Sequence, residues 1–196
     1  MTHRKARPTP KGALGQTGFF SVIRARRSVR KFLEIPVPQA TLRKLLNVVR
    51  YIPSSFNRQP VEVLVIRHKT AKELIAHHKN TWCPPSKKKY KADFLAEAPV
   101  ILVVCVDSSR AHGRHFETGL IASAYLLLSA TALGLGSTFL TAYNVRKPAQ
   151  ARELKKILHI PAPFVPISIL PAGYPDEKPR LKKLRALRDI LHYDAF

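Results

Sequence analysis

Arg26, Ser28 and Arg30 recur at every second position of the segment Arg26-Arg27-Ser28-Val29-Arg30. In an extended chain such residues project to one side. Two guanidiniums with a hydroxyl between them suit a phosphate, which arginine can grip with paired hydrogen bonds. The plain alternative is a basic loop on an already basic surface. A second run, Pro53-Ser54-Ser55-Phe56-Asn57-Arg58-Gln59-Pro60, offers the donors and acceptors needed to read a ring edge that alternates C=O and N–H groups. The same residue types also make turns routinely.

A third run, Ala132-Leu133-Gly134-Leu135-Gly136, is not a dinucleotide fingerprint. The position for a third glycine is Phe139, and the order is helix to strand. Gly134 fits the C-terminal end of a helix with positive φ, and the two glycines could also let a flat ligand approach the backbone. Lys178-Pro179-Arg180 is a fourth group, able to add positive charge to a phosphate or simply to open a basic helix. His77, His78 and Cys83 do not match a zinc spacing, so no metal is expected. No Ser-His-Asp arrangement can be placed, and Gly119 is not part of a nucleophile elbow.

These segments sit in a chain of 196 residues with 34 Lys+Arg against 12 Asp+Glu, a formal net charge of +22. Ordinary hydrophobic content (45%) argues for a globular domain able to bury a core. The charge favours anionic partners: nucleic acid, anionic membrane or a phosphorylated small molecule. A soluble basic surface with no dedicated partner is the bland alternative. Two cysteines exclude a disulfide framework, and a reduced, cytoplasmic setting is expected. No signal peptide is read at the start, which is basic and broken by Pro8, Pro10, Gly12 and Gly15. Residues 118–145 carry no charge, long enough to span a bilayer. Their Ser, Thr and Asn content and the Gly134/Gly136 break point to a helix buried in protein instead.

The elements that must position the four segments follow from periodicity. A flexible basic segment is expected over 1–16, then a single domain over 17–196. Short and amphipathic helices are expected over 19–26 and from Leu42 to Pro53, and a strand over 61–66. Thr70 with Glu73 forms a capping-box pattern opening a helix to about His78, and 82–90 reads as a loop whose lysines are solvated. The apolar run 99–106 predicts a strand buried on both faces. The uncharged helix follows, then a short strand over 137–140 and a helix with Pro148 in its first turn. A strand over 165–170, a turn at Gly173-Tyr174-Pro175 and a basic amphipathic helix carrying Leu181, Leu184, Leu187 and Leu191 complete the chain. Interleaved helices and strands give an α/β or α+β domain with four or five strands.

In their order, "RRSVRKF", "PSSFNRQP", "APVILVVC" and "ATALGLGSTFL" resemble the nitroreductase family of FMN-dependent flavoproteins, from about Phe20 to Leu181. The resemblance implies an α+β fold, with a central, mainly antiparallel sheet flanked by helices, and an intertwined homodimer with two FMN sites at its interface. It implies that Arg26, Ser28 and Arg30 bind the FMN phosphate and ribityl chain, with Arg27 close by. Pro53, Ser54, Ser55 and Asn57 would face the flavin from the partner subunit, with Gln59 near its edge. Leu140 and Thr141 would lie beside the isoalloxazine ring, where a backbone N–H meets the flavin N5, and Lys178 and Arg180 would close on the phosphate. Val61 stands where many members carry Trp.

The function implied is an FMN-dependent oxidoreductase that passes hydride from NADH or NADPH through FMN to nitroaromatics, quinones or enones. The cofactor carries the chemistry, so no side-chain acid or base is assigned. Alternatives within the fold are dehalogenation, flavin breakdown or an oxidase reaction. From another class, a basic nucleic-acid-binding protein would explain the charge, but no such module is recognisable. A membrane partner is not expected.

Overall fold

The structure is a computed structural model that describes residues 16–83, 91–179 and 181–196. The expected basic N-terminal segment, most of the 82–90 loop and Arg180 therefore lie outside the described residues. The order is α1 (Gln16–Ala25), α2 (Gln39–Asn47), β1 (Val61–Ile66), α3 (Lys69–Thr81), α4 (Phe94–Glu97), β2 (Val100–Asp107), α5 (His115–Ala132), β3 (Gly136–Ser137), β4 (Leu140–Thr141), α6 (Ala149–Ile157) and β5 (Phe164–Gly173). Short 3-10 turns follow α2 and span Ser55–Asn57 and Leu187–Asp189.

The five strands form one antiparallel sheet in the order β1-β2-β5-β3, with β4 also on β5. All eight residues of β2 are buried, and period-two alternation splits them between two cores. Ile101, Val103 and Cys105 pack with Ile75 of α3, Leu95 of α4 and Leu154 of α6. Val100, Leu102 and Val104 pack with Leu42 and Leu45 of α2 and with Ala122, Leu126 and Ala130 of α5. The result is helices on both faces of the sheet. Each fully buried leucine or isoleucine contributes about 1.5–3 kcal/mol.

β5 is longer than expected although it carries Pro166 and Pro171. The register slips between Val104 and Cys105 of β2, so Pro166 sits beside a bulge where a missing N–H costs little. Across from Pro171 and Leu170, Thr138 and Phe139 leave the ladder, and the single strand expected over 137–140 becomes the two short strands β3 and β4.

Three local expectations are corrected. The capping box does not form: α3 starts at Lys69 behind His68, with no side-chain cap, and Glu73 instead faces Lys69 at 3.9 Å. Gly173-Tyr174-Pro175 is not a turn. Gly173 ends β5, Pro175 bridges Phe32, and the Leu33 N–H donates to the Tyr174 carbonyl (2.9 Å), so the chain runs on extended. The final helix is absent except for the Leu187–Asp189 turn. Leu181, Leu184, Leu187 and Leu191 are exposed, and a short helix is marginal in water without a surface to bury its apolar face.

Helix α5, charged only at Glu117 in its first turn, ends as expected, with Gly134 at φ +74°. It buries one side and leaves Leu120, Ile121 and Tyr125 exposed, near the exposed Phe19, Phe20 and Ile23 of α1. Among the described residues no helix is long and apolar enough to cross a membrane.

Candidate functional site

Arg26 to Phe32 leaves the end of α1 and crosses the β3 edge of the sheet. Ser28 bridges Ser137, and the Val29 N–H donates to the Ser137 carbonyl (3.1 Å). Val29 turns into the core while Ser28 and Arg30 face outward, as alternation in an extended segment requires. Phe32, on the same parity as Ser28 and Arg30, is nevertheless buried and Lys31 is exposed, so the alternation ends at Arg30. Gly136 is required here by packing: a Cβ would lie 2.7–2.9 Å from the Val29 side chain. That contact accounts for the second glycine of the third run.

The segment is fixed on its other side by the strand extension after β5. The Glu177 carboxylate accepts from the N–H groups of Arg30 and Lys31, and the Asp176 N–H donates to the Lys31 carbonyl (2.9 Å). Arg27 turns its guanidinium back onto the Arg24 and Arg26 carbonyls at the C-terminal end of α1. Between these pieces lies a cleft of about 450 Å³ lined by Arg26, Arg27, Ser28, Arg30, Glu177, Lys178, Pro179 and Lys182. Among the described residues no carboxylate pairs with the side chains of Arg26, Arg30, Lys178 or Lys182. The charge of Arg26, followed by desolvation and the charge of Arg27, pushes the Lys182 ammonium below its ordinary pKa. Cations crowded without a counter-ion repel one another, and a bound anion relieves that repulsion.

Lys182 was not singled out from sequence. Its only signal was membership of a basic tail, and the expected helix would have put it elsewhere. Glu177 was also missed, since an acid beside a lysine carries no mark of a backbone brace.

Leu140 and Thr141 lie on the same sheet edge, three and four residues after the Ser28 bridge partner Ser137. Leu140 is buried opposite Ile169, and Thr141 is exposed opposite Ser168. The Ala142 N–H donates to the Ile167 carbonyl (3.0 Å), so by antiparallel alternation the Thr141 N–H and C=O point to the open side. The carbonyl there accepts from Lys79 Nζ of α3 at 2.8 Å.

Pro53, Ser54, Ser55, Asn57 and Gln59 are elsewhere. They form a tight loop entering β1, with Phe56, Asn57 and Gln59 all at positive φ (52°, 52° and 47°). Side chains hold this costly backbone: Ser54 Oγ accepts from the Gln59 N–H (2.9 Å), and Asn57 Oδ1 accepts from Gln59 Nε2 (3.2 Å). The β2–α5 connection braces it from outside, with Arg110 donating to the Arg58 carbonyl (2.6 Å) and His112 5.3 Å from the exposed Phe56 ring.

The two groups sit at opposite corners of the sheet. The loop enters at Val61, opposite Val106, whereas the cleft lies by Gly136 and Ser137, level with Gly173, Ala172 and Val100. Six residues along a strand and three strand-to-strand steps separate them by roughly 25 Å.

His78 is fully buried between α3 and α6, where desolvation lowers its pKa, and Glu153 lies 3.6 Å away. Among the described residues no cluster of His, Cys, Asp or Glu could hold a metal ion.

The model of the nitroreductase family matches residues 23–174. The chain is 30% identical over 175 residues to a protein of Methanothermobacter thermautotrophicus named as an NADH dehydrogenase/NAD(P)H nitroreductase, covering 88% of this chain and 85% of that one. It is 28% identical to an iodotyrosine deiodinase of Thermotoga neapolitana, covering 90% and 98% respectively. A crystal structure from Parabacteroides distasonis, also named for NADH dehydrogenase/NAD(P)H nitroreductase activity, matches with a TM-score of 0.79 at 28% identity, covering 91% and 98%.

Proposed function

The chain belongs to the nitroreductase family, and from that premise we propose that it works as a homodimer binding one FMN at each of two interface sites. It then uses NADH or NADPH to reduce electron-poor acceptors such as nitroaromatics, quinones or enones. When bound, FMN supplies the hydride chemistry, taking hydride from the nicotinamide and giving it to the acceptor. The residues present suit that group: the cleft offers unpaired cations in a volume well above that of one phosphate, next to an open strand edge with an outward N–H.

The observation that carries the reading is the separation of the two corners. A phosphate in the Arg26–Arg30 cleft and a ring against Leu140 and Thr141 fit one sheet edge. The Pro53–Gln59 loop of the same chain enters β1 roughly 25 Å from the cleft and roughly 18 Å from Leu140, and a second copy would bring its own loop onto the ring. The surfaces left bare support the same arrangement: the outer side of α5, the apolar side of α1, and the leucines of the C-terminal tail are exposed in one chain. Their burial in a dimer is expected to exceed about 2,000 Å².

Within this site the chain's residues bind and orient. Arg26, Arg30, Lys178 and Lys182 attract the phosphate, with Ser28 donating a hydroxyl. Arg180 is assigned to the same phosphate by its place in the motif. Thr141 offers its N–H at the strand edge. Pro53, Ser54, Ser55, Asn57 and Gln59 cover the ring from the partner. No side chain is assigned a proton-transfer step.

The test is direct. The purified protein is expected to carry or take up FMN, to bleach on anaerobic mixing with NADH or NADPH, and to recover on adding a quinone or nitroaromatic. Steady-state lines should be parallel if donor and acceptor use one site in turn. A protein that stays colourless after reconstitution overturns the reading. A second reading, reductive dehalogenation, draws on the likeness to the Thermotoga deiodinase. A halogenated phenol in the acceptor panel separates the two.

A further inference from the structure

Helix α3 carries two lysines seven residues apart, and so on one face, that do the same local job. Lys72 Nζ donates to the Ala98 carbonyl (2.7 Å), tying α3 to the start of β2. Lys79 Nζ donates to the Thr141 carbonyl (2.8 Å), tying the last turn of α3 to β4. Their surroundings differ. Ala98 is a buried residue in the passage between α4 and β2, two residues before Val100 and so toward the Gly136–Ser137 end of the sheet, away from Leu140 and Thr141. Thr141 presents its carbonyl and its N–H together on the open side of β4.

We infer that Lys79 is an electrostatic positioning residue, a fixed cation on the open edge of β4 that favours the reduced form of a flavin seated there. The inference rests on the reading that Leu140 and Thr141 receive the ring. Two-electron reduction adds a hydride to the ring and releases NAD(P)+, so the bound group gains one negative charge unless a further proton follows. A cation near that edge stabilises the added charge and raises the reduction potential. Lys79 is well placed for this role because both of its ends are fixed: the stem is held in α3 and the ammonium is anchored on a strand carbonyl. Desolvation lowers its pKa, so this charge is only weakly screened by water. No carboxylate pairs with it among the described residues.

The experiment measures the midpoint potential of bound FMN in the reconstituted holoprotein and three variants. Lys79→Gln keeps a donor for the Thr141 carbonyl but removes the charge. It is expected to disfavour the reduced form at least tenfold, about 30 mV more negative for a two-electron couple. Lys79→Arg is expected to stay close to wild type, and Lys72→Gln, which removes the matching tie to Ala98, to leave the potential unchanged. A wild-type potential in Lys79→Gln overturns the inference, as does an equal shift in Lys72→Gln. Should Lys79→Gln fail to hold flavin while Lys72→Gln holds it, Lys79→Met is measured as well. Loss of flavin there too makes the residue a structural tie and overturns the inference. Wild-type protein that binds no FMN overturns both this inference and the functional reading beneath it. Normal FMN binding with no potential shift removes this inference alone.

Discussion

The two corners of the sheet are built on opposite principles. At the cleft, Arg26, Arg30, Lys178 and Lys182 gather without a carboxylate partner among the described residues. Glu177 spends its carboxylate on backbone N–H groups. The stabilising partner is left to come from outside. At the Pro53–Gln59 loop the polar groups satisfy one another, holding three residues in left-handed backbone. One corner is unfinished in charge and the other is finished in shape. A corner short of an anion calls for a ligand, whereas a rigid, self-satisfied loop with an exposed Phe56 calls for a surface to press against.

That contrast can be broken by mutation, and the largest effect belongs to the charged corner. Arg26→Ala with Arg30→Ala removes charge-assisted hydrogen bonds of roughly 1.5–3 kcal/mol each, so FMN affinity should fall at least about a hundredfold. Titration of apoprotein with FMN, followed by flavin fluorescence, checks this. A loss below tenfold would make these arginines ordinary surface groups.

The loop corner should respond less. Ser54→Ala with Asn57→Ala removes two neutral hydrogen bonds of about 1 kcal/mol each, or roughly thirtyfold in affinity. Mixing is the sharper measurement. If each site joins the cleft of one chain to the loop of the other, a hybrid of the arginine-pair chain and the loop-pair chain contains one wild-type site. Random assembly then restores FMN binding to about a quarter of all sites in a symmetric dimer. No recovery, with hybrids verified by mass, would place both corners in one chain's site.

The smallest expected change is at Lys182. It is exposed and acts through solvent, so Lys182→Ala should weaken FMN binding only about threefold, and less at high salt. A hundredfold loss would promote it from a contributor to the field to a direct ligand.

How far these corners were legible beforehand differs by residue. Ser28 and Arg30 were readable because alternation in an extended segment is a property of the local chain, and Val29 between them turns inward as that requires. The burial of Phe32 was not, since it follows from the bridge to Pro175. The strand β1 and the all-buried β2 were readable from β-branched and apolar runs. The capping box at Thr70 failed because α3 already starts at Lys69 behind His68, which leaves Thr70 inside the first turn instead of at the cap. Lys182 and Lys79 were invisible: a lysine's role depends on what its long stem reaches, and nothing in the neighbouring residues records it.

By itself, the sequence determined the alternation, the apolar strands, the excess of cations and the order of motifs, because each is set by residues within a few positions of one another. Only the tertiary structure decided that the Pro53–Gln59 loop and the Arg26–Arg30 cleft lie at opposite corners, since strand order brings β5 between β2 and β3. It also decided that the leucines of the tail find no helix to form. Their periodicity is local, but the free energy that turns a periodic stretch into a helix comes from burial against another surface, and one chain does not supply it.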